Sequence, residues 1–247
     1  MKKFQILTLA IITLSFANCA ELFGKKDKDD NNEALLLALF AAPACGQTQV
    51  ASAPTNGTRY SFSGCSGDAT ATLTALGFTA SNISFNGGLS GTGLSSTLIT
   101  NASSLSESGN ESKASMEITY VLTGASSKLQ VIMPAETNFN GPGFNILPTT
   151  AQLLVDLTAS NFTTAPSWGS SVGAEKTLCL EVHKENADAH IIGWEGTCAT
   201  VNRGAYGFDQ DTAATINGNR AALRLDNVVV KSMTLYNAPI GQIGQIQ

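Results

Sequence analysis

Hydrophobic and polar positions alternate with period two over many short stretches of this chain, and few windows carry the three-to-four-residue spacing of a helix. Tyr60-Ser61-Phe62, Ala69 to Leu76, Ile83-Ser84-Phe85, Met116-Glu117-Ile118-Thr119-Tyr120, Leu129-Gln130-Val131-Ile132 and Leu178-Cys179-Leu180-Glu181-Val182 all read as half-buried strands. Turn-forming breaks fall between them at Asn86-Gly87-Gly88, Gly91 to Gly93, Asn140-Gly141-Pro142-Gly143 and Asn217-Gly218-Asn219. Many short strands with regular turns predict a mostly β fold, an antiparallel β-sandwich or jelly roll over residues 50–247. The alternative is a parallel β-helix, because Thr70 to Ser104 is rich in Thr, Ser, Gly and Asn. A solenoid should show self-similarity at a fixed period, and none is present.

The first 49 residues follow different rules. Met1-Lys2-Lys3 is a positive n-region and Phe4 to Phe16 an apolar stretch too short for a spanning helix, so residues 1–18 read as a signal peptide. Leu14-Ser15-Phe16-Ala17-Asn18-Cys19 then sets small residues just before a cysteine. Residues 19–33 hold five acidic and three basic side chains without apolar periodicity after Phe23, the pattern of a solvated tether. Residues 34–49 open with Ala34-Leu35-Leu36-Leu37-Ala38-Leu39-Phe40, a short apolar run expected to dock on the domain that follows.

The segment ending at Cys19 resembles a bacterial lipobox, and its relaxed form, with Phe16 and Asn18 where Leu and Gly or Ala are commonest, is similar to that of spirochaetal, leptospiral-type lipoproteins. The resemblance implies that Cys19 becomes the acylated first residue of the mature protein, with membrane lipid as its partner. More than one acyl chain makes such anchoring stable. It also implies a bacterial envelope location, outer membrane in particular, facing either the surface or the periplasm. In that setting the five Asn-x-Ser/Thr sequences, at Asn56, Asn82, Asn101, Asn110 and Asn161, are chance occurrences rather than glycan acceptors. Near the other end, Arg224-Leu225-Asp226-Asn227-Val228-Val229-Val230 resembles the closing strand of concanavalin-like and carbohydrate-binding jelly rolls.

Charge narrows the function classes. A formal net charge of −5 with 14 basic residues offers no footprint for a phosphate backbone, so no nucleic-acid partner is expected. Only 13% of residues are charged while 43% are hydrophobic, which is the composition of a chain that buries a core.

With Cys19 set aside, Cys45, Cys65, Cys179 and Cys198 are an even set in an exported chain, and two disulfides are expected. Of the three connectivities, pairing neighbours keeps both bridges local: Cys45 with Cys65, Cys179 with Cys198. The second pair flanks a predicted hairpin, Leu178 to Val182 returning as His190 to Trp194. Registers that oppose Cys179 to Cys198, or His183 to His190, share one parity. Either way Cys179, Glu181 and His183 share a face with His190, Ile192, Trp194 and Cys198, while Leu178, Leu180 and Val182 face the core.

Candidate chemistry is sparse. Glu181, His183 and His190 could offer two nitrogens and an oxygen to zinc, but zinc sites usually take three or four protein ligands and neither HExxH nor clustered CxxC occurs, so no metal is assigned. Asp209 and Asp211, in Gly207-Phe208-Asp209-Gln210-Asp211-Thr212, read as a loop that is either solvated or offers oxygens to calcium, the only cofactor entertained. A carboxylate pair there would also be the starting point for glycoside hydrolysis. Ser63-Gly64-Cys65-Ser66-Gly67 is not a serine-nucleophile motif. Trp168, in the turn-like Ala165-Pro166-Ser167-Trp168-Gly169-Ser170, suits stacking on a sugar ring or anchoring a partner, or else covers an end of the core. No catalytic residue is assigned. The expectation is a lipid-anchored surface protein with a non-catalytic binding domain, an adhesin for host matrix or plasma proteins or a glycan binder. The alternatives are a periplasm-facing structural lipoprotein and, last, a carbohydrate-active enzyme.

Overall fold

The computed structural model describes residues 45–51, 56–103, 113–163, 172–185, 188–202, 204–214 and 216–236. Cys19, the tether, most of the 34–49 segment and Trp168 lie outside these residues. Fourteen strands and one short helix follow in the order β1 (Gly46–Val50), β2 (Gly57–Ser61), α1 (Ala69–Ala75), β3 (Phe78–Ser81), β4 (Ser84–Phe85), β5 (Leu89–Thr100), β6 (Lys113–Leu122) and β7 (Lys128–Ala135). The chain continues through β8 (Pro142–Ile146), β9 (Ala151–Val155), β10 (Thr158–Asn161), β11 (Glu175–Glu185), β12 (Asp188–Glu195), β13 (Phe208–Thr212) and β14 (Arg220–Tyr236).

Every pairing is antiparallel, as a sandwich requires and a parallel β-helix forbids. The strands form one connected sheet bent about β14. Over Arg220 to Asp226, β14 pairs β7, with β5 on its other side from Ala222 on; from Val228 it pairs β6, and β2 takes over from β5 at Ser232. β8, β9 and β10 extend one half beyond β7, and β11, β12 and β13 extend the other beyond β6. The halves face each other across a shared core. Phe144 of β8 meets Phe208 of β13 edge-on at 5.2 Å, and Phe162 packs on Phe208 at 4.6 Å. The far edges also touch, where the Thr163 amide donates to the Gln210 side chain at 2.8 Å. Strands that pass from one layer to the other at a bend are a known way to make such corners.

The bend is written in the parity of β14. Its core-facing residues are Ala221, Leu223 and Leu225, then Val228 and Val230, then Met233 and Leu235. Odd numbers give way to even and return to odd. Each switch coincides with a register shift, one at Asp226 to Val228 and one at Val230 to Ser232, because one extra residue turns a strand's alternation over. At the first shift Asn227 has φ 54°, the left-handed region that asparagine tolerates better than most residues. Its carbonyl accepts from the Thr123 amide and hydroxyl at 2.9 and 2.8 Å and from the Ser127 hydroxyl at 2.6 Å. Those two residues bound the break between β6 and β7. The facing break in β5 holds Gly91, where a Cβ would lie 2.5 Å from the Ser96 Cβ and 2.7 Å from the Leu225 Cβ, so glycine is required by close approach. Gly91 to Gly93 is therefore an irregularity inside a long strand and not a turn between two.

One stretch read as a strand is a helix. Ala69 to Leu76 alternates, but Asp68 accepts the Ala71 amide at 3.1 Å as an N-cap, and Ala69 and Leu73 are buried at helical spacing. Capping and the i, i+4 apolar pair prevail over a period-two pattern built mostly from alanine and threonine. Both disulfides join neighbours: Cys45 to Cys65 and Cys179 to Cys198. Closing loops of 20 and 19 residues, each contributes about 3 kcal/mol in the chain-entropy picture.

Asn227→Val should lower unfolding free energy by about 1 to 2 kcal/mol, the cost of a β-branched side chain at this φ, while Asn227→Gly should stay within about 0.5 kcal/mol. Urea titrations of the two variants check the pair.

Candidate functional site

The β11–β12 hairpin carries the site. Its register opposes His183 to His190, Glu181 to Ile192 and Cys179 to Trp194; Cys198 lies beyond the end of β12 and not opposite Cys179. Leu178, Leu180 and Val182 enter the core as the alternation requires. On the outer face, Cys179, Cys198, Ile192, Trp194 and Tyr236 make a second buried cluster with Val201 packed against it. Trp194 thus packs at the disulfide, and Tyr206 lies over it at 5.4 Å.

Next to this apolar patch a chain of polar groups crosses four strands. Ser115 of β6 donates to Glu181 Oε2 at 3.2 Å; Glu181 Oε1 bonds His183 Nδ1 at 3.0 Å; His183 Nε2 bonds His190 Nδ1 at 3.1 Å; and His190 Nε2 bonds Asp209 of β13. The two rings meet edge-on, 4.7 Å between centroids. Accessibility grades along the chain: the Glu181 side chain is 2% exposed, His183 21%, His190 16% and Asp209 46%. With both carboxylates ionised, three bonds among two imidazoles need three ring protons, one more than two neutral rings hold. The chain is complete when the histidine pair carries a single positive charge shared between the two carboxylates.

Asp209 and Asp211 are not on a loop. They occupy β13, opposite Ile192 and His190, because Gly193 leaves room for Phe208: a Cβ there would lie 2.4 Å from the phenyl ring. That close fit holds Phe208 inward and turns its neighbour Asp209 outward. A strand cannot wrap the six to eight oxygens that calcium takes, and Asp209 is bonded to His190. The zinc set of Glu181, His183 and His190 is also rearranged, since Glu181 lies behind His183 and bonds its far nitrogen. Among the described residues no group of three or more His, Cys, Asp or Glu is placed to hold a metal ion. The Ser115 hydroxyl faces a carboxylate and not an imidazole, and Cys179 and Cys198 are oxidised, so these groups form no activated nucleophile.

Alternation alone did not reveal Ser115 or the role of Asp209, because both depend on which strands lie beside the hairpin. The opposite half of the sheet holds another hidden row. Arg224 donates to Gln130 at 2.9 Å, Gln130 to Asn145 at 3.4 Å, Asn145 to Gln152 at 2.7 Å and Gln152 to Asn161 at 2.9 Å, each pair directly opposed in register. Burial lowers the pKa of the Arg224 guanidinium. A separate surface cavity of about 280 Å³ is lined by Thr79, Ile99, Thr100, Asn101, Thr137 and Arg220.

No protein-family model matches the chain, and no curated protein matches it significantly. Among solved structures it is similar to the carbohydrate-recognition domain of Emp46p in its potassium-bound form, at 11% identity and a TM-score of 0.46, over 70% of this chain and 93% of that one. It is similar to peanut lectin at 10% identity and a TM-score of 0.45, over 72% and 96%. The exoplasmic/lumenal domain of VIP36, bound to Ca2+ and Man3GlcNAc, gives 9% and 0.41 over 66% and 85%. At these identities and scores, nothing that those proteins bind transfers to this chain.

His183→Leu should destabilise the fold by about 3 kcal/mol, because it leaves Glu181 buried beside Ser115 without its imidazole. That is the low end of the cost of an orphaned buried charge, since the lost ring is 21% exposed. Adding Glu181→Leu should recover most of the loss. A double-mutant cycle by urea unfolding measures it, and additive losses would contradict the coupling.

Proposed function

We propose that this chain is a lipid-anchored bacterial envelope protein, held at the outer membrane through acylated Cys19, whose β-sandwich presents a non-catalytic binding surface. The observation that carries this reading is the cysteine pairing. All four cysteines beyond Cys19 are consumed in two local disulfides, as an oxidising compartment allows, and the fifth is the one that ends the lipobox-like segment. The partner in this reading is a host matrix or plasma protein, or a glycan. Its candidate anchors are Trp168, Tyr206, which is 45% exposed, and the exposed Asp209 and Asp211 that follow Tyr206 in the chain. Calcium belongs to this proposal only as a bridging ion supplied with the ligand.

A second reading, a structural lipoprotein facing the periplasm, is favoured by how little apolar surface the described residues expose. Val172 and Tyr206 are the exposed large hydrophobics among them, whereas stable interfaces centre on buried aromatic anchors.

Mass spectrometry of detergent-phase protein should find the mature N-terminus at Cys19 with acyl mass, and Cys19→Ser should leave the precursor uncut or release the protein from membranes. A mature N-terminus elsewhere without acyl mass ends the lipoprotein reading. Protease shaving of intact cells then chooses between readings, digestion favouring the surface role and protection the periplasmic one. On an array of mammalian glycans and extracellular matrix proteins, Tyr206→Ala and Trp168→Ala should each weaken a captured interaction by about 2 kcal/mol if they are anchors.

A further inference from the structure

The histidine pair that links the two carboxylates holds two ring nitrogens at a separation that a hydrogen bond and a shared metal ion can both span. We propose that His183 Nε2 and His190 Nδ1 form a two-imidazole site for a single divalent transition-metal ion of the copper, nickel or zinc class, each ring held by its own carboxylate, with water or an outside ligand completing the shell.

Three observations converge on it. The facing nitrogens are 3.1 Å apart. Two metal–nitrogen bonds of about 2.0 to 2.1 Å meeting at about 100° span roughly 3.1 to 3.2 Å, so one ion reaches both atoms without separating the strands. Each ring's other nitrogen already meets a carboxylate, His183 Nδ1 at Glu181 and His190 Nε2 at Asp209. This is the support that metal-binding histidines almost always have, fixing the tautomer that leaves the ligating nitrogen bare. Finally, the site is stiff yet reachable. The two residues are direct register partners on a hairpin whose other end is tied by Cys179–Cys198, and Glu181 is held from behind by Ser115. The imidazoles themselves keep 21% and 16% of their side-chain surface.

The exchange balances. The facing nitrogens share the hydrogen bond that the ion would replace. When the ion enters, any proton held in that bond leaves to solvent, and the protons on His183 Nδ1 and His190 Nε2 stay on their carboxylate bonds. Each ring turns so that its lone pair meets the ion, which sets a +2 charge between two carboxylates. Two imidazole nitrogens with open positions suit copper, nickel and zinc; magnesium and calcium prefer oxygen. Asp211, opposite His190 on β13, offers a further oxygen donor.

The test uses the tag-free, EDTA-treated full chain titrated with Cu2+ and Zn2+. The expected result is one ion per chain by calorimetry and Cu2+ EPR hyperfine structure from two nitrogens. His183→Gln and His190→Gln should each lower affinity by more than the roughly 10-fold that Glu181→Gln costs through its supporting role, and Asp188→Asn should change nothing. If His183→Gln does not fold, His190→Gln carries the test. The proposal is overturned if folded wild-type protein takes up neither ion, or if the folded histidine variants bind within about threefold of wild type. The chain would then be a shared-proton link only.

Discussion

The corner at Asn227 is the constraint on which the rest of the structure depends. A 17-residue strand cannot serve both layers of a sandwich unless it bends, and bending reverses which side chains face inward. β14 solves this with an extra residue at the corner, and its neighbours bend with it: β6 and β7 break between Thr123 and Ser127, and the β5 register skips between Thr92 and Ser96. Three bonds onto the Asn227 carbonyl tie the break between β6 and β7 to this corner. Were the corner straightened, Val228 and Val230 would point out of the core that Leu223 and Leu225 point into.

That corner also sets where polar groups can sit. Once β6 lies beside the C-terminal half of β14, β11 pairs β6, β12 pairs β11 and β13 pairs β12, so four strands present their odd-or-even rows side by side. Ser115, Glu181, His183, His190 and Asp209 are brought together by this order alone. The buried Glu181 is tolerable because both of its oxygens are bonded, which an isolated hairpin could not arrange.

How much of this was legible follows from where the information lies. Period-two patterning marked most of the strands named, and the hairpin's parity placed Leu178, Leu180 and Val182 inward and the histidines and cysteines outward, because alternation is a local property. The local cysteine pairing was legible for the same reason. Ala69 to Leu76 misled because alanine and threonine carry little hydrophobic contrast, and the signal that mattered was the single cap at Asp68. The acidic motif at Asp209 misled because its strand character comes from Gly193 on another strand. Long-range order, such as β6 beside β11, was legible nowhere, and with it went Ser115 and the Arg224 to Asn161 row.

The two outer faces answer one physical problem with different chemistry. Each half of the sheet must cover its core on one side and satisfy side chains on the other. The β7 to β10 half does so with amides, which both donate and accept, so the row from Gln130 to Asn161 closes on itself in any protonation state. The β6, β11, β12, β13 half uses carboxylates and imidazoles, which cannot all be satisfied without a particular number of protons. An amide row is therefore indifferent to its surroundings, whereas the histidine row makes all three of its bonds only with a third ring proton. If the two rows exchanged chemistry the fold would still close, but the present arrangement ends the titratable row at Asp209, on the strand where Asp209 and Asp211 reach solvent.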